Sequence, residues 1–174
     1  MTPTTGQDEP ADAAPRTFAA PATNARLLAT EFAEAEESPG LALWQVTNRW
    51  QAAQRAALKP LGLTHVQFVL LASLVWLQSD GPVTQKQLAD HAAADVMMTS
   101  QVLRTLEEHE LVTRAPHPGD RRARALAATD AGRALANRAL AVVEECDRAF
   151  FEPVGTDVAQ LTLLLRRLID AGRA

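Results

Sequence analysis

The sequence is poor in cysteine, in aromatic residues and in long apolar runs, and each shortage removes a class of protein. A single cysteine, Cys146, among 174 residues rules out an internal disulfide framework. Aromatics make up 5% of the chain and tyrosine is absent, while Ala and Leu abound. That balance favours helices over a β-sandwich, because unbranched side chains lose little rotamer freedom in a helix. The longer apolar runs, such as Phe68 to Leu77, fall well short of a membrane span and contain Ser73 and Trp76. No early apolar stretch resembles a signal peptide, so the expectation is a cytoplasmic chain with no membrane partner. His65, His91, His109, His117 and Cys146 never fall into a metal-ligand spacing, so neither a metal nor another cofactor is expected. A G-x-S-x-G elbow and a phosphate-binding glycine loop are both missing, and an enzyme is not expected.

What is present is unevenly charged. Residues 1–38 carry seven acids against Arg16 and Arg26, a net of −5 that leaves +1 for residues 39–174 of a chain whose total is −4. Within residues 111–138 stand Arg114, Arg121, Arg122, Arg124, Arg133 and Arg138 against Asp120 and Asp130, a local +4. Such a patch matters more for nucleic-acid binding than the isoelectric point of the whole chain.

Residues 1–22, rich in Pro, Ala, Thr and acids without helical periodicity, are expected to be largely disordered, with a weak helix over 24–37 closed by Pro39-Gly40. Leu43, Val46, Trp50, Ala53 and Ala57 form one stripe of a helix over 41–58, ended by Pro60 and Gly62. Thr64 caps a nearly all-apolar helix over 65–78 that should be central to the core. The T-x-x-Q pattern at Thr84 to Gln87 is a capping box for a short helix over 85–91, and Asp95 is the N-cap of the next, "VMMTSQVLRTLEEHE". Two short helices around a tight Ala-Ala-Ala-Asp connection have helix-turn-helix spacing, which ordinary helical hairpins share. Leu111 to Ala115 and Arg122 to Leu126 then read as a hairpin with a charged tip. Thr129 caps a helix to Phe151, and a last apolar-striped helix starts at Asp157.

In that order, the pieces "LTHVQFVLLASL", "VTQKQLADH", "TSQVLRTLEEHELVTR", "PGDRRARALAATDAGRAL" and "LTLLLRRLI" resemble the MarR family of bacterial regulators over roughly residues 41–172. The implied fold is mainly α with a small β-hairpin, a winged helix-turn-helix with flanking N- and C-terminal dimerisation helices. Residues 1–38 form an extension, and residues 39–174 the winged-helix domain. The domain divides into a DNA-binding lobe about 63–128 and dimerisation helices about 41–60 and 129–172. The resemblance implies a wing salt bridge between Asp120 and Arg122 and minor-groove insertion by Arg121. One departure is Glu110 in "EEHELV", where the family usually places the glycine that ends the recognition helix.

Helical rotation puts Val96, Thr99, Val102, Leu103 and Leu106 on the core side of the recognition helix, with Met98 at the border as packing. Met97, Gln101, Arg104, Thr105 and Glu108 lie opposite. Met97 suits an apolar contact with a thymine methyl, Gln101 suits adenine, Arg104 guanine or phosphate, and Ser100 a phosphate. Thr84, Gln85 and Lys86 are candidates for the DNA backbone, although Thr84 already has a use as a cap. Arg121 and Arg124 are candidates for a narrow A·T-rich minor groove. The bland alternatives are a solvated helix face and a hairpin whose arginines only confer solubility.

A single recognition helix reads few base pairs, so a homodimer on a pseudo-palindrome of double-stranded DNA is expected. The resemblance further implies a ligand crevice. Residues suited to line it are Trp44, His65, Phe68 and Trp76, with Arg49 as an anion partner and a small aromatic or phenolic molecule as the ligand; all could instead be core. Cys146, far from where the family's thiol sensors place their cysteine, is assigned a structural role. The leading reading is a ligand-released repressor, and the alternative is a winged-helix module that binds protein without specific DNA binding.

Overall fold

The computed structural model describes residues 29–172, and for Asp120 and Arg121 the backbone alone. Over residues 29–38 the only regular structure is a 3-10 turn, Ala35–Glu37, whose Glu37 carboxylate accepts the Ala33 amide at 2.8 Å. The helix expected over 24–37 is therefore missing from its described part; residues 24–28, like the expected disorder of 1–22, lie outside the described residues.

Pro39 and Gly40 open the first long helix, α1 (Pro39–Leu58), where they were expected to close the preceding segment. Proline suits a first helical turn, because its missing N–H would have no partner there anyway and its φ is already helical. A tight turn at Gly62 leads to α2 (His65–Leu77), whose Thr64 and Gln67 form a reciprocal capping box. Its continuous apolar sequence has the expected consequence: Leu70, Leu71 and Leu74 are fully buried, and α2 lies at the centre of the core.

Next come β1 (Val83–Thr84), α3 (Gln85–His91), α4 (Val96–Glu108), β2 (Val112–His117), β3 (Asp120–Ala128), α5 (Asp130–Phe151) and α6 (Val158–Ala171). The hairpin β2–β3 is joined by β1 into a three-stranded antiparallel sheet of order β1-β3-β2, with Val83 opposite Leu126. A two-residue strand is too short to show a period of two, which is why the sequence pattern missed β1. The hairpin register slips at Pro116/His117, beside a residue with no N–H to give to the ladder. A second core cluster of Leu58, Leu63, Phe68, Ala139 and Val143 seats α1 and α5 against α2.

Both helices of the helix-turn-helix end in the same way. Beyond α3 the Ala94 amide reaches the Ala89 carbonyl at 2.9 Å, and beyond α4 the Leu111 amide reaches the Leu106 carbonyl at 2.9 Å. These are Schellman closures, and each needs a left-handed residue: Ala93 at φ 49° and Glu110 at φ 58°. The chain keeps the geometry that glycine serves and accepts the steric strain of a side chain there. Ala93→Gly and Glu110→Gly are each expected to stabilise the protein by about 1 kcal/mol, seen as a higher urea midpoint with an unchanged slope. A lower midpoint for both would contradict the strain.

Candidate nucleic-acid interface

Helix α4 begins where Asp95 accepts the Met98 amide at 2.8 Å, and it presents one buried and one open face. Thr99, Leu103 and Leu106 are fully buried. Opposite them Met97 is 78% exposed, with Gln101 and Arg104 exposed and Ser100 and Thr105 half-buried. Thr105 Oγ1 donates back to the Gln101 carbonyl at 3.5 Å, which leaves the hydroxyl loosely held. One correction concerns Val96, expected on the core side: it is 48% exposed, because as the first helical residue it precedes the turn that enters the core. A second correction concerns Met98, expected at the border as packing: it is 38% exposed.

The first helix of the motif is tied to the second by Gln85 Nε2, which donates to the Val96 carbonyl at 3.3 Å. Thr84 caps α3 by accepting the Gln87 amide at 3.2 Å, while Lys86 extends into solvent and pairs with Asp90 at 2.6 Å. An exposed pair of this kind is weak and readily exchanged for a phosphate. Thus Thr84 and Gln85 carry local structural duties, while Lys86 stands in solvent in an exposed ion pair.

The basic patch is smaller than its arginine count. Arg133 donates to the Ala128 carbonyl at 2.8 Å and pairs with Asp130. Arg114 sits opposite Leu126, on the core-facing side of the sheet with Val112, and its Nε lies 2.7 Å from Glu107 Oε2. Arg122 and Arg124 are exposed on β3. At the wing tip His117 Nδ1 accepts the Gly119 amide at 3.1 Å, a contact that shapes the turn and that sequence reading did not anticipate. The Asp120 and Arg121 side chains are outside the description, so the Asp120–Arg122 pair has no geometry here.

The residues assigned to a ligand crevice come from two helices, Trp44 and Arg49 from α1 and His65, Phe68 and Trp76 from α2. Trp44 is 68% exposed on α1, Arg49 lies further along the same helix, and Phe68 is buried in the second core cluster. His65 packs edge-on against Trp50, ring centroids 4.9 Å apart. Trp76 lines an open groove, about 410 Å³, between α2 and α5 with Ala72, Val75, Ser79, Ala136, Asn137 and Leu140.

Sequence reading also missed a polar tie between α1 and α5. Asp147 Oδ1 accepts from Trp50 Nε1 at 2.7 Å and from Gln54 Nε2 at 2.6 Å. Gln54 is fully buried, and its Oε1 has no hydrogen-bond partner among the described residues. Burial pushes the neighbouring His65 imidazole below its ordinary range; the Asp147 carboxylate opposes that shift and Arg55 adds to it. Burial, and then Asp147, push the Cys146 thiol up, which favours its poorly reactive protonated form. Among the described residues no cluster of three metal-ligating side chains occurs, and no single helix is long and apolar enough to cross a membrane.

Known proteins match this arrangement. The model of the MarR family covers residues 63–123, the span from the end of the α1–α2 turn into the second strand of the wing. An uncharacterized HTH-type transcriptional regulator of Bacillus subtilis, YdcH, is 42% identical over 123 residues, 70% of this chain and 84% of that protein. The HTH-type transcriptional repressor Rv2887 of Mycobacterium tuberculosis is 39% identical over 114 residues, 65% of this chain and 80% of the other. Among solved structures, CouR from Rhodococcus jostii bound to p-coumaroyl-CoA superposes with a TM-score of 0.70 at 27% identity, covering 79% of this chain and 93% of CouR. With a winged helix-turn-helix in place, an open recognition face on α4 and relatives of this similarity, the chain belongs to the MarR family of transcriptional regulators.

Proposed function

We propose that the protein is a cytoplasmic homodimeric repressor that binds a pseudo-palindromic operator and is released by a small aromatic or phenolic ligand. The observation that carries the DNA reading is the outward face of α4, where Met97, Gln101 and Arg104 stand exposed at and beyond a capped helix N-terminus. Ser100 and Thr105 flank them, Lys86 reaches for phosphate, and Arg121 and Arg124 serve the minor groove. Dimerisation is supported by apolar surface that nothing in the described chain covers. Leu43, Trp44 and Val46 on α1, and Leu163, Leu164, Leu168 and Ile169 on α6, are each between 45% and 68% exposed. No residue of α6 is buried, and an amphipathic helix in that state needs a second surface to pack on.

The repressor reading draws on the relative named a repressor, and the ligand reading on CouR's bound thioester and on the Trp76-lined groove. Ligand binding to a state in which the two recognition helices are differently spaced would weaken DNA affinity by the coupling free energy. The test is selection of binding sites from a random-sequence DNA pool by the full chain, followed by Met97→Ala on the selected site. Enrichment of a palindrome, with affinity lost about fivefold at a thymine position, is expected. Absence of enrichment at low salt would favour the protein-binding module instead.

A further inference from the structure

Arg114 is a charged residue at a core-facing position of the wing sheet. Its β2 neighbour Val112 and its cross-strand partner Leu126 are almost fully buried. Its Nε and Nη2 have no accessible surface of note. Nε lies 2.7 Å from Glu107 Oε2 without the alignment of a hydrogen bond, and Nη2 has no hydrogen-bond partner among the described residues. Glu107 belongs to the last turn of α4, so the pair spans the turn His109-Glu110-Leu111 and joins the recognition helix directly to the wing. The pair is half-buried, with side chains 22% and 32% exposed, so its net contribution to stability is small, but losing Glu107 strands the inaccessible Nε and Nη2 of Arg114. Its more distinctive effect is geometric. The turn it brackets contains the strained Glu110, and its carbonyls at Glu110 and Leu111 are held by Thr129 Oγ1 at 2.8 Å and the Thr129 amide at 3.0 Å.

We infer that Arg114 is a positioning residue for DNA binding: paired with Glu107, it fixes the wing relative to α4 so that one protomer engages the major and minor grooves together. This rests on the proposed DNA reading. It assigns to Arg114 no contact with DNA at all, although composition alone counts it in the basic patch. Without the pair, the recognition helix keeps its base contacts, but the wing tip no longer arrives at the minor groove in register. Specific affinity falls while nonspecific attraction to phosphate changes little.

The test is a double-mutant cycle on full-length dimeric protein, with a selected operator duplex and a random-sequence duplex of equal length as probes. The variants are Glu107→Gln, Arg121→Ala and their combination, with the charge exchange Glu107→Arg plus Arg114→Glu as rescue. Glu107→Gln keeps the shape of the side chain and is tested well below its melting temperature. Expected is about a tenfold loss of operator affinity with random-duplex affinity nearly unchanged, and a much smaller cost of Arg121→Ala in the Glu107→Gln background than in the unsubstituted chain. The charge exchange should recover most of the operator affinity. A purely structural pair would lower the melting temperature and leave the cost of Arg121→Ala the same in both backgrounds, which would overturn the inference. If the unsubstituted chain prefers no sequence at all, the DNA reading itself fails, and that outcome is visible before any variant is made.

Discussion

Gly132→Ala is expected to melt about 10 °C below the unsubstituted protein. Gly132 is the third residue of α5, and a Cβ built on it would lie 2.1 Å from the Leu111 carbonyl oxygen and 3.0 Å from its carbon. The obstacle is backbone, so no side chain can swing aside. That carbonyl cannot retreat freely either, because it accepts the Thr129 amide at 3.0 Å, and Thr129 in turn caps α5 by accepting the Gly132 amide at 3.0 Å. Accommodating the methyl group must separate the start of α5 from the exit of α4, at a cost of about 3 kcal/mol by analogy with overpacked cores. A thermal melt followed by circular dichroism checks it; a melting temperature within about 2 °C of the parent would mean the contact yields without strain.

The second large effect belongs to Asp147. Removing its carboxylate in Asp147→Ala leaves the Trp50 indole N–H and the Gln54 amide without their shared acceptor, beside a Gln54 oxygen that already has no hydrogen-bond partner among the described residues. Donors stranded in this way cost about 1 to 3 kcal/mol, and urea unfolding should show a loss near the upper end. Asp147→Asn preserves an acceptor oxygen and should cost much less. Equal losses for the two variants would show that charge, rather than the acceptor, is what holds α1 to α5.

His65 provides an independent reading of the same tie. Its folded-state pKa lies below the ordinary 6.5, so in the interval beneath 6.5 the unfolded chain binds more protons and stability rises with pH. The contribution is complete above that ordinary value and is lost as pH falls through the lowered one. Asp147→Ala deletes the negative charge that raises the imidazole, so a proton-NMR titration should find His65 lower still. A move upward would contradict the placement of that carboxylate.

Local chemistry was the legible part of the sequence. Thr64, Thr84, Asp95 and Thr129 announced four helix starts, because a cap is a relation between residues two or three apart. The face of α4 was legible for the same reason, since helical rotation is local; it failed at Val96 and Met98, in the first turn, where the helix has not yet met the core. Glu110 was noticed as a departure, and the backbone there adopts the glycine conformation regardless.

What escaped was non-local. Asp147 and Gln54 are 93 residues apart, and nothing near either announces the other. Arg114 looked like one more basic residue until the sheet register turned it inward. The close approach of Gly132 to the Leu111 carbonyl escaped as well, because the two residues lie far apart in the chain. The crevice residues were chosen by chemical type, and type alone could not separate the buried Phe68 from the exposed Trp76.

The central claim is that this chain reads DNA through α4 and the wing. The most direct test is the affinity of the full-length protein for its selected duplex as a function of salt, for the parent and for Arg121→Ala. The account predicts a steep fall in affinity with salt and a lower affinity for Arg121→Ala, whose logarithmic slope is shallower by about one. Identical slopes and affinities for the two proteins, or a binding constant indifferent to salt, would contradict it.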